Sequence, residues 1–345
     1  MCGIGGIRRF GKDPILKDQV DLLMVGLQSR GIDASGIALQ NGGGKLHLLK
    51  NDIPAWQFVT SKPYETFLKE HLTDETNIVI LHTRMATKGS PVKQNNNHPM
   101  FHNKTAVVHN GVITNDDNLF RELNLPRYAE TDSDILRAIL DKEGLSKAGI
   151  RRLSRCMGSV ACAAISPEQP DYLLLVRSGS PLICAAYNDL LIWASEKSII
   201  HKAMRPWVDK FGLQFQTQRP DISFLTMRDN TAWLFGPSGL EWHEECKTSM
   251  YYREPERLVF GNYVERKKRW ESEDDREIIS SSSIITCDTK PQKLKPIHYK
   301  KASGVQIRIE CESCKSLNKL TPEQYTVLPS NLLCGSCDKP LAVKK

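Results

Sequence analysis

Short apolar stretches of strand length alternate with amphipathic stretches of helix length from residue 2 to about residue 245. The strand candidates are residues 3–7, 36–39, 78–83, 105–110, 159–165, 172–177 and 190–195. The helix candidates are residues 17–28, 118–123 and 132–141. Each such stretch has an apolar face that must be buried against another element. The sequence therefore predicts an α+β domain over residues 2–245.

The composition is typical of a folded protein without a membrane span. Hydrophobic residues make up 40% and charged residues 25% of the 345 residues, so the chain can build a sizeable core. No apolar run approaches the ~20 residues that a membrane-spanning helix requires, and residues 2–9 do not read as a secretion signal. We therefore expect a cytoplasmic protein whose ten cysteines are not paired as disulfides.

The composition changes towards the C-terminus. Residues 265–277 are densely charged with both signs, residues 280–283 are a serine run, and residues 290–301 are rich in proline and lysine. This texture predicts a partly disordered linker over residues 246–304. Of the net charge of +7, +6 lies in residues 246–345. Such an excess is typical either of a surface for nucleic acid or an acidic partner, or of a solvated tail.

Four cysteines near the C-terminus form two Cys-x-x-Cys pairs, Cys311 with Cys314 and Cys334 with Cys337. Four thiolates at this spacing complete the tetrahedral shell of a structural Zn²⁺. A redox-active pair is the competing interpretation, but it would need a thioredoxin-like context. The sequence predicts a zinc ribbon over residues 305–345, with Zn²⁺ as its structural cofactor. Such a ribbon would contact nucleic acid, contact a protein, or serve only as a structural tail.

Cys2 becomes the first residue of the chain if the initiator methionine is removed. Its thiol and a free α-amine would then lie on one residue, and an α-amine has an ordinary pKa of about 8. The amine can therefore act as the base for its own nucleophile. A cysteine in second place can also be coincidental, so the rest of the sequence must decide between the two interpretations.

Five short segments follow one another in order along the chain. They are Met1-Cys-Gly-Ile-Gly-Gly-Ile7, Arg30-Gly-Ile-Asp-Ala-Ser-Gly36, His82-Thr-Arg-Met-Ala-Thr-Lys-Gly89, Asn97-His-Pro99 with His109-Asn-Gly-Val-Ile113, and Glu130-Thr-Asp132. Together they resemble class II glutamine amidotransferases, which are N-terminal-nucleophile hydrolases, over about residues 2–240. The resemblance implies a four-layer αββα sandwich, to which the small zinc ribbon is appended, and no cofactor for the glutaminase reaction.

The resemblance assigns the chemical step to four residues. It implies that Cys2 attacks the side-chain amide of glutamine and forms a glutamyl thioester. The side chain of Asn110 and the backbone N–H of Gly111 would stabilise the tetrahedral oxyanion. Arg30 would hold the N-terminal segment in place. Taken alone, the Asn110-Gly111 pair is also typical of an ordinary hairpin turn.

The resemblance assigns the recognition of free glutamine to a second set of residues. Arg84 suits the α-carboxylate as a bidentate partner, Asp132 suits the α-ammonium, and Thr87 and Gly89 would shape this pocket. Taken alone, Arg84 would serve as a surface ion-pair residue and Asp132 as a charge at a helix N-terminus. Lys88 stands where some members have histidine, which leaves open how the loop over glutamine closes.

These observations predict a glutamine amidotransferase that releases ammonia from L-glutamine for an acceptor. Residues 246–345 contain no P-loop or GxGxxG pattern, so we expect the acceptor on a separate synthase subunit, and modified-nucleobase synthesis fits by analogy. Nucleic acid would bind through the basic C-terminal region, and no membrane partner is expected.

Two alternatives to this function stay open. One is a non-catalytic zinc-ribbon protein that binds nucleic acid or protein and keeps a relic amidotransferase domain. The other is an amidase of other specificity.

Overall fold

The computed structural model describes residues 1–210 and 223–248, together with the backbone of three short strands at residues 283–287, 307–310 and 317–320. The strands are β1 (Gly3–Arg9), β2 (Ala34–Asn41), β3 (Leu46–Asn51), β4 (Thr76–Arg84), β5 (Ala106–Ile113), β6 (Gly158–Ser166), β7 (Gln169–Ser178), β8 (Ile183–Tyr187), β9 (Leu190–Ala194), β10 (Ser223–Thr226), β11 (Thr231–Gly236), β12 (Gly239–Glu245), β13 (Ser283–Cys287), β14 (Ile307–Glu310) and β15 (Leu317–Leu320). The helices are α1 (Lys17–Leu27), α2 (Ala55–Val59), α3 (Lys62–His71), α4 (Asp116–Glu122), α5 (Asp134–Glu143), α6 (Lys147–Leu153) and α7 (Lys197–Lys210).

Two antiparallel sheets form the centre of the fold. The first has eight strands in the order β10-β8-β9-β1-β4-β2-β3-β13, and the second has five in the order β12-β11-β7-β6-β5. The mixed arrangement of strands and helices that the sequence predicts is thus confirmed. Strand β1 lies near the middle of the larger sheet, paired antiparallel with both β4 and β9. The N-terminal residues therefore start from a fixed position inside the fold.

Three apolar clusters divide the fold into layers. One lies between the two sheets and contains residues of both, such as Ile4, Val108 and Trp193. A second packs helices α1, α2, α3 and α7 on the outer face of the larger sheet. A third packs α4, α5 and α6 on the outer face of the smaller sheet. Because successive residues of a strand point to opposite faces, each sheet serves two of these clusters.

The strands expected from the sequence are all present, but the structure contains further strands that the sequence pattern does not predict. Strands β3, β8, β10, β11 and β12 were not predicted. Strand β13 lies in the range predicted as a linker, where it pairs antiparallel with β3 at the edge of the larger sheet. The helix expected over residues 132–141 begins at Asp134. Asp132 lies before it, and its side chain accepts a hydrogen bond from the backbone N–H of Ile113.

Arg8 ties the two sheets together at the end of β1 that lies away from Cys2. Its guanidinium is buried and donates to the backbone oxygens of Asp171 on β7 at 2.9 Å and of Gly236 on β11 at 3.3 Å. Burial lowers the pKa of Arg8 to about 10, opposed by the nearby carboxylate of Asp171.

Across the described part of the chain, no helix is long and apolar enough to span a membrane.

Gly6 gives a direct test of the packing between the sheets. It is the cross-strand neighbour of Trp193, whose indole is fully buried, and an added Cβ would collide with that ring and with the backbone oxygen of Val79. We expect Gly6→Ala to lower the free energy of unfolding by ~1–3 kcal/mol, as measured by urea denaturation. Gly43→Ala is the matched control, since Gly43 lies in an exposed turn with space for a Cβ. Equal stability of the two variants would contradict this packing.

Candidate active site

The pairing of β1 with β4 places Cys2 beside the end of β4. Gly3 is opposite Thr83 in this pair, and the sulfur of Cys2 accepts a hydrogen bond from the backbone N–H of Met85 at 3.4 Å. On the other side of β1, the backbone N–H of Ser195 donates to the oxygen of Ile4 at 2.9 Å. The start of β1 is thus held from both neighbouring strands.

Arg30 contacts the N-terminal segment directly. Its Nε donates to the backbone oxygen of Cys2 at 2.9 Å, one of its Nη atoms pairs with Glu196, and the other contacts the sulfur of Met1 at 3.4 Å. The guanidinium is buried at the end of the short helical turn Gln28–Arg30. Arg30 therefore occupies the position that a residue holding the N-terminal segment requires.

The thiol of Cys2 has a mixed electrostatic environment. Burial raises the pKa of Cys2 above its ordinary value, while the N–H of Met85, the positive amino terminus and Arg84 act in the opposite direction. Burial also lowers the pKa of the α-ammonium of Met1, so its amine loses a proton more readily than an exposed one. Met1 itself is 70% exposed. In the chain that retains Met1, the amine of Met1, which can accept a proton, thus lies next to the thiol of Cys2, which retains its proton.

Asn110 offers a buried donor that has no partner. It lies near the end of β5, is 2% exposed, and its Nδ2 has no hydrogen-bond acceptor among the described residues. An unpaired buried amide costs free energy, so it marks a place where a ligand would supply the acceptor. Gly111 follows with φ of +152°, and an added Cβ there would collide with the oxygen of Ser159.

Arg84 is held from two directions at the end of β4. One Nη donates to Oδ1 of Asn97 at 2.8 Å, and the other donates to the backbone oxygens of Lys88 at 2.8 Å and Gly89 at 2.7 Å. A guanidinium has five N–H donors, so two remain beyond these three contacts. Burial lowers the pKa of Arg84, whereas Cys2, Asp33 and Asp132 act to raise it. Arg84 is thus a fixed cation with donors left for an anion.

Asp132 is buried between β5 and α5, where one of its oxygens accepts from the backbone N–H of Ile113 at 2.7 Å. The charges of Asp132 and Arg84 both act on the pKa of Cys2. Met85, which follows Arg84, contacts the sulfur of Cys2, and His82 on β4 contacts the backbone oxygen of His109 on β5, the strand whose end contacts Asp132. Thr87 is exposed on the following loop, and Gly89 with φ of +78° turns that loop against Asn96.

Two supports of this site were not singled out from the sequence. Asp33 accepts from the backbone N–H of Ala86 at 2.7 Å and fixes the residues that follow β4. Asp116, buried at the start of α4, pairs with Lys88 at 2.7 Å and with Arg127 at 2.5 Å. A signal for Asp33 was present, since it lies in the segment that starts at Arg30. Nothing local marks Asp116, because its partners are remote in sequence.

Three buried histidines lie next to the site. Nε2 of His82 is 3.1 Å from the backbone oxygen of His109, and the rings of His82 and His98 stack with centroids 4.1 Å apart. Burial lowers the pKa of His82 to about 3, that of His98 well below its ordinary value, and that of His109 as well. They are therefore neutral near pH 7.

The predicted metal ligands lie outside the described residues. Cys311, Cys314, Cys334 and Cys337 all belong to this group. Among residues 1–210 and 223–248, no group of three or more His, Cys, Asp or Glu side chains is arranged to hold a metal ion.

Comparisons with known proteins agree with this geometry. Residues 82–202 match the family described as the glutamine amidotransferase domain. The chain is 27% identical over 281 residues to the glutamine–fructose-6-phosphate aminotransferase of Escherichia coli (strain K12), which covers 77% of this chain and 42% of that relative. It is 31% identical over 211 residues to the corresponding enzyme of Thermotoga maritima, covering 57% of this chain and 32% of that relative. The chain thus spans less than half the length of these relatives.

Solved structures show a similar fold. The glutamine phosphoribosylpyrophosphate amidotransferase from B. subtilis matches with a TM-score of 0.53 and 18% identity, covering 72% of this chain and 50% of that chain. A structure described as the allosteric regulatory enzyme of purine biosynthesis matches with a TM-score of 0.55, the same identity and the same coverage. The family match over residues 82–202 agrees with the resemblance inferred from the five sequence segments, and the solved structures show a similar fold.

The environment of Cys2 predicts how its reactivity depends on pH. Because burial raises the pKa of the thiol, the nucleophilic thiolate is scarce at pH 7 and accumulates only above the ordinary thiol pKa of about 8.5. In a chain that retains Met1, we expect the rate of iodoacetamide alkylation at Cys2, mapped by mass spectrometry, to keep rising beyond pH 8.5. Buried Cys162 and Cys184 are internal controls that should stay unlabelled. A plateau of the Cys2 rate below pH 8 would contradict this account.

Proposed function

We propose that this chain, which contains a class II glutamine amidotransferase domain homologous to glutamine-hydrolysing enzymes, hydrolyses L-glutamine at Cys2. The observation that carries the proposal is the meeting of β1, β4 and β5. The sulfur of Cys2 contacts Met85, which follows Arg84, and His82 on β4 contacts the backbone oxygen of His109 on β5, next to Asn110. Asp132 accepts a hydrogen bond from Ile113 at the end of β5. A thiol flanked by a fixed cation and a fixed anion suits the amide of a free amino acid, whose α-carboxylate and α-ammonium need such partners.

The proposed reaction begins with a free α-amine on Cys2, produced by removal of the exposed Met1. This amine takes the thiol proton, and the sulfur attacks the carbonyl carbon of the glutamine side chain. The resulting oxyanion accepts hydrogen bonds from Nδ2 of Asn110 and the N–H of Gly111. Collapse of this intermediate breaks the C–N bond, and the α-ammonium returns the proton to the leaving ammonia. Water then hydrolyses the glutamyl thioester to glutamate.

Arg84 and Asp132 hold the substrate in this proposal. The two donors of Arg84 left by its protein contacts would bind the α-carboxylate, and the free oxygen sites of Asp132 would bind the α-ammonium. Thr87 and Gly89 belong to the loop that would cover the substrate. The paired sheets with helices on both outer faces support the finer assignment to the four-layer αββα N-terminal-nucleophile hydrolases.

We further propose that the ammonia serves an acceptor on a separate synthase subunit, and that the C-terminal region docks the two together. Strands β14 and β15 pair antiparallel with Glu310 opposite Leu317, so the first Cys-x-x-Cys pair falls in the sequence between two paired strands. Four soft thiolate donors suit Zn²⁺, which would give this segment the stability that its small size does not provide. The charge of +6 in residues 246–345 suits an acidic partner, protein or nucleic acid.

Asn110 gives the sharpest test of the hydrolysis. We expect Asn110→Ala to lower kcat for ammonia release from glutamine by about 10²–10³-fold, because one oxyanion donor is lost. Asn118→Ala, on the exposed face of α4, is the matched control and should leave kcat unchanged.

An electrophilic glutamine analogue tests the nucleophile independently. Its adduct should map to Cys2 in the wild-type chain and be absent from Cys2→Ala. An adduct at another cysteine, or ammonia released from an amide other than that of glutamine, would favour an amidase of different specificity.

The C-terminal cysteines can be tested by metal analysis of the full chain. We expect about one Zn²⁺ per chain, measured by inductively coupled plasma mass spectrometry, and a loss of this zinc in the double variant Cys311→Ser with Cys334→Ser. Cys287→Ser, outside the two pairs, is the control. A C-terminally tagged chain should co-purify a synthase or nucleic acid only when it holds zinc. Unchanged zinc content in the double variant would overturn the assignment.

A further inference from the structure

Lys50 is a buried basic residue that the proposed reaction does not use. It lies on β3 with 4% of its surface exposed, and its Nζ donates to the backbone oxygens of Asn97 at 2.8 Å and Pro99 at 3.2 Å. Among the described residues it forms no ion pair with a carboxylate. Burying an ammonium on two carbonyls alone is unfavourable, so the contacts it makes call for a functional explanation.

Strands β2, β3 and β4 form the surface against which residues 97–99, the segment bound by Lys50, are packed. Gly36 on β2 is directly opposite Lys50 on β3 and directly opposite His82 on β4. An added Cβ at Gly36 would collide with the backbone oxygen of His98, so this glycine lets residues 97–99 lie close against the sheet. The ring of His98 stacks on His82 on one side, and Lys50 donates to the backbone on the other.

This segment in turn holds Arg84. Oδ1 of Asn97 accepts from Nη1 of Arg84 at 2.8 Å, and Nδ2 of Asn97 donates to the backbone oxygen of Pro91 at 2.6 Å. Both ends of the Asn97 side chain are thus committed, and its backbone is fixed by Lys50. A continuous chain of hydrogen bonds leads from Lys50 through Asn97 to the guanidinium of Arg84.

We propose that Lys50 is a positioning residue for substrate binding, which fixes through Asn97 the orientation in which Arg84 meets the α-carboxylate of glutamine. This inference rests on the proposed function. Burial, together with the positive charge of Arg84, lowers the pKa of Lys50 to about 7. The side chain can donate to the two carbonyl oxygens with or without its extra proton. The geometry of Arg84, and not the chemistry at Cys2, is what Lys50 controls.

Lys50→Met in the full-length chain tests this role, because methionine keeps the length of the side chain and removes its donor. We expect KM for L-glutamine to rise about tenfold, the effect of weakening one hydrogen bond to a charged group, while kcat stays within about twofold of wild type. Activity towards L-glutamine α-amide, which lacks the carboxylate, should be nearly unchanged. Lys69→Met, at an exposed position of α3, is the matched control and should alter neither substrate.

A double variant separates positioning from general damage to the fold. If Lys50 acts through Arg84, Lys50→Met combined with Arg84→Met should cost no more in kcat/KM for glutamine than Arg84→Met alone. Additive losses, an unchanged KM in Lys50→Met, or equal losses on glutamine and its α-amide would each overturn the inference.

The failure of the proposed function gives a different result. Absence of hydrolysis in the wild-type chain would contradict the reaction at Cys2, and not the role of Lys50. Calorimetric titration of the Cys2→Ala chain with L-glutamine then decides the matter. An about tenfold higher Kd on adding Lys50→Met supports the inference, and an equal Kd overturns it.

Discussion

The antiparallel pairing of β1 with β4 is the interaction on which the rest of the site depends. It brings Cys2 beside Met85 although 83 positions separate them in the chain. The same strand β4 ends in Arg84, so the proposed nucleophile and the proposed cation for the substrate are positioned by one ladder of backbone hydrogen bonds. Helices on one side and the second sheet on the other keep this ladder from water, which makes its geometry rigid.

Charge in this interior is distributed by burial. The three histidines next to the site are kept neutral, since desolvation disfavours their protonated forms. In the proposed reaction the proton is therefore moved by the α-amine that removal of Met1 would expose on Cys2. Two of the buried basic side chains, Arg8 and Lys50, donate to backbone oxygens and hold separate parts of the fold together.

The sequence predicts more of the candidate site residues than of the residues that hold them in position. Cys2, Arg84, Asn110 and Asp132 could be proposed as site residues because they fall in ordered segments that resemble those of a known family. The strand β3 was missed because its polar residues interrupt the apolar pattern. Lys50 could not be connected with Asn97, 47 positions away, because only tertiary packing brings them together. The roles of these supports follow from contacts between strands that no local pattern encodes.

Gly6 fixes the register of strand β1 against its neighbours. Its neighbour Trp193 leaves no space for a side chain at that point, while the positions two residues before and after carry Ile4 and Arg8. A slip of β1 by two residues would keep the faces of the sheet correct but would drive one of these bulky side chains into the indole. The packing of Gly6 in the interior therefore fixes the register of β1, and with it the position of the proposed nucleophile Cys2 four residues away.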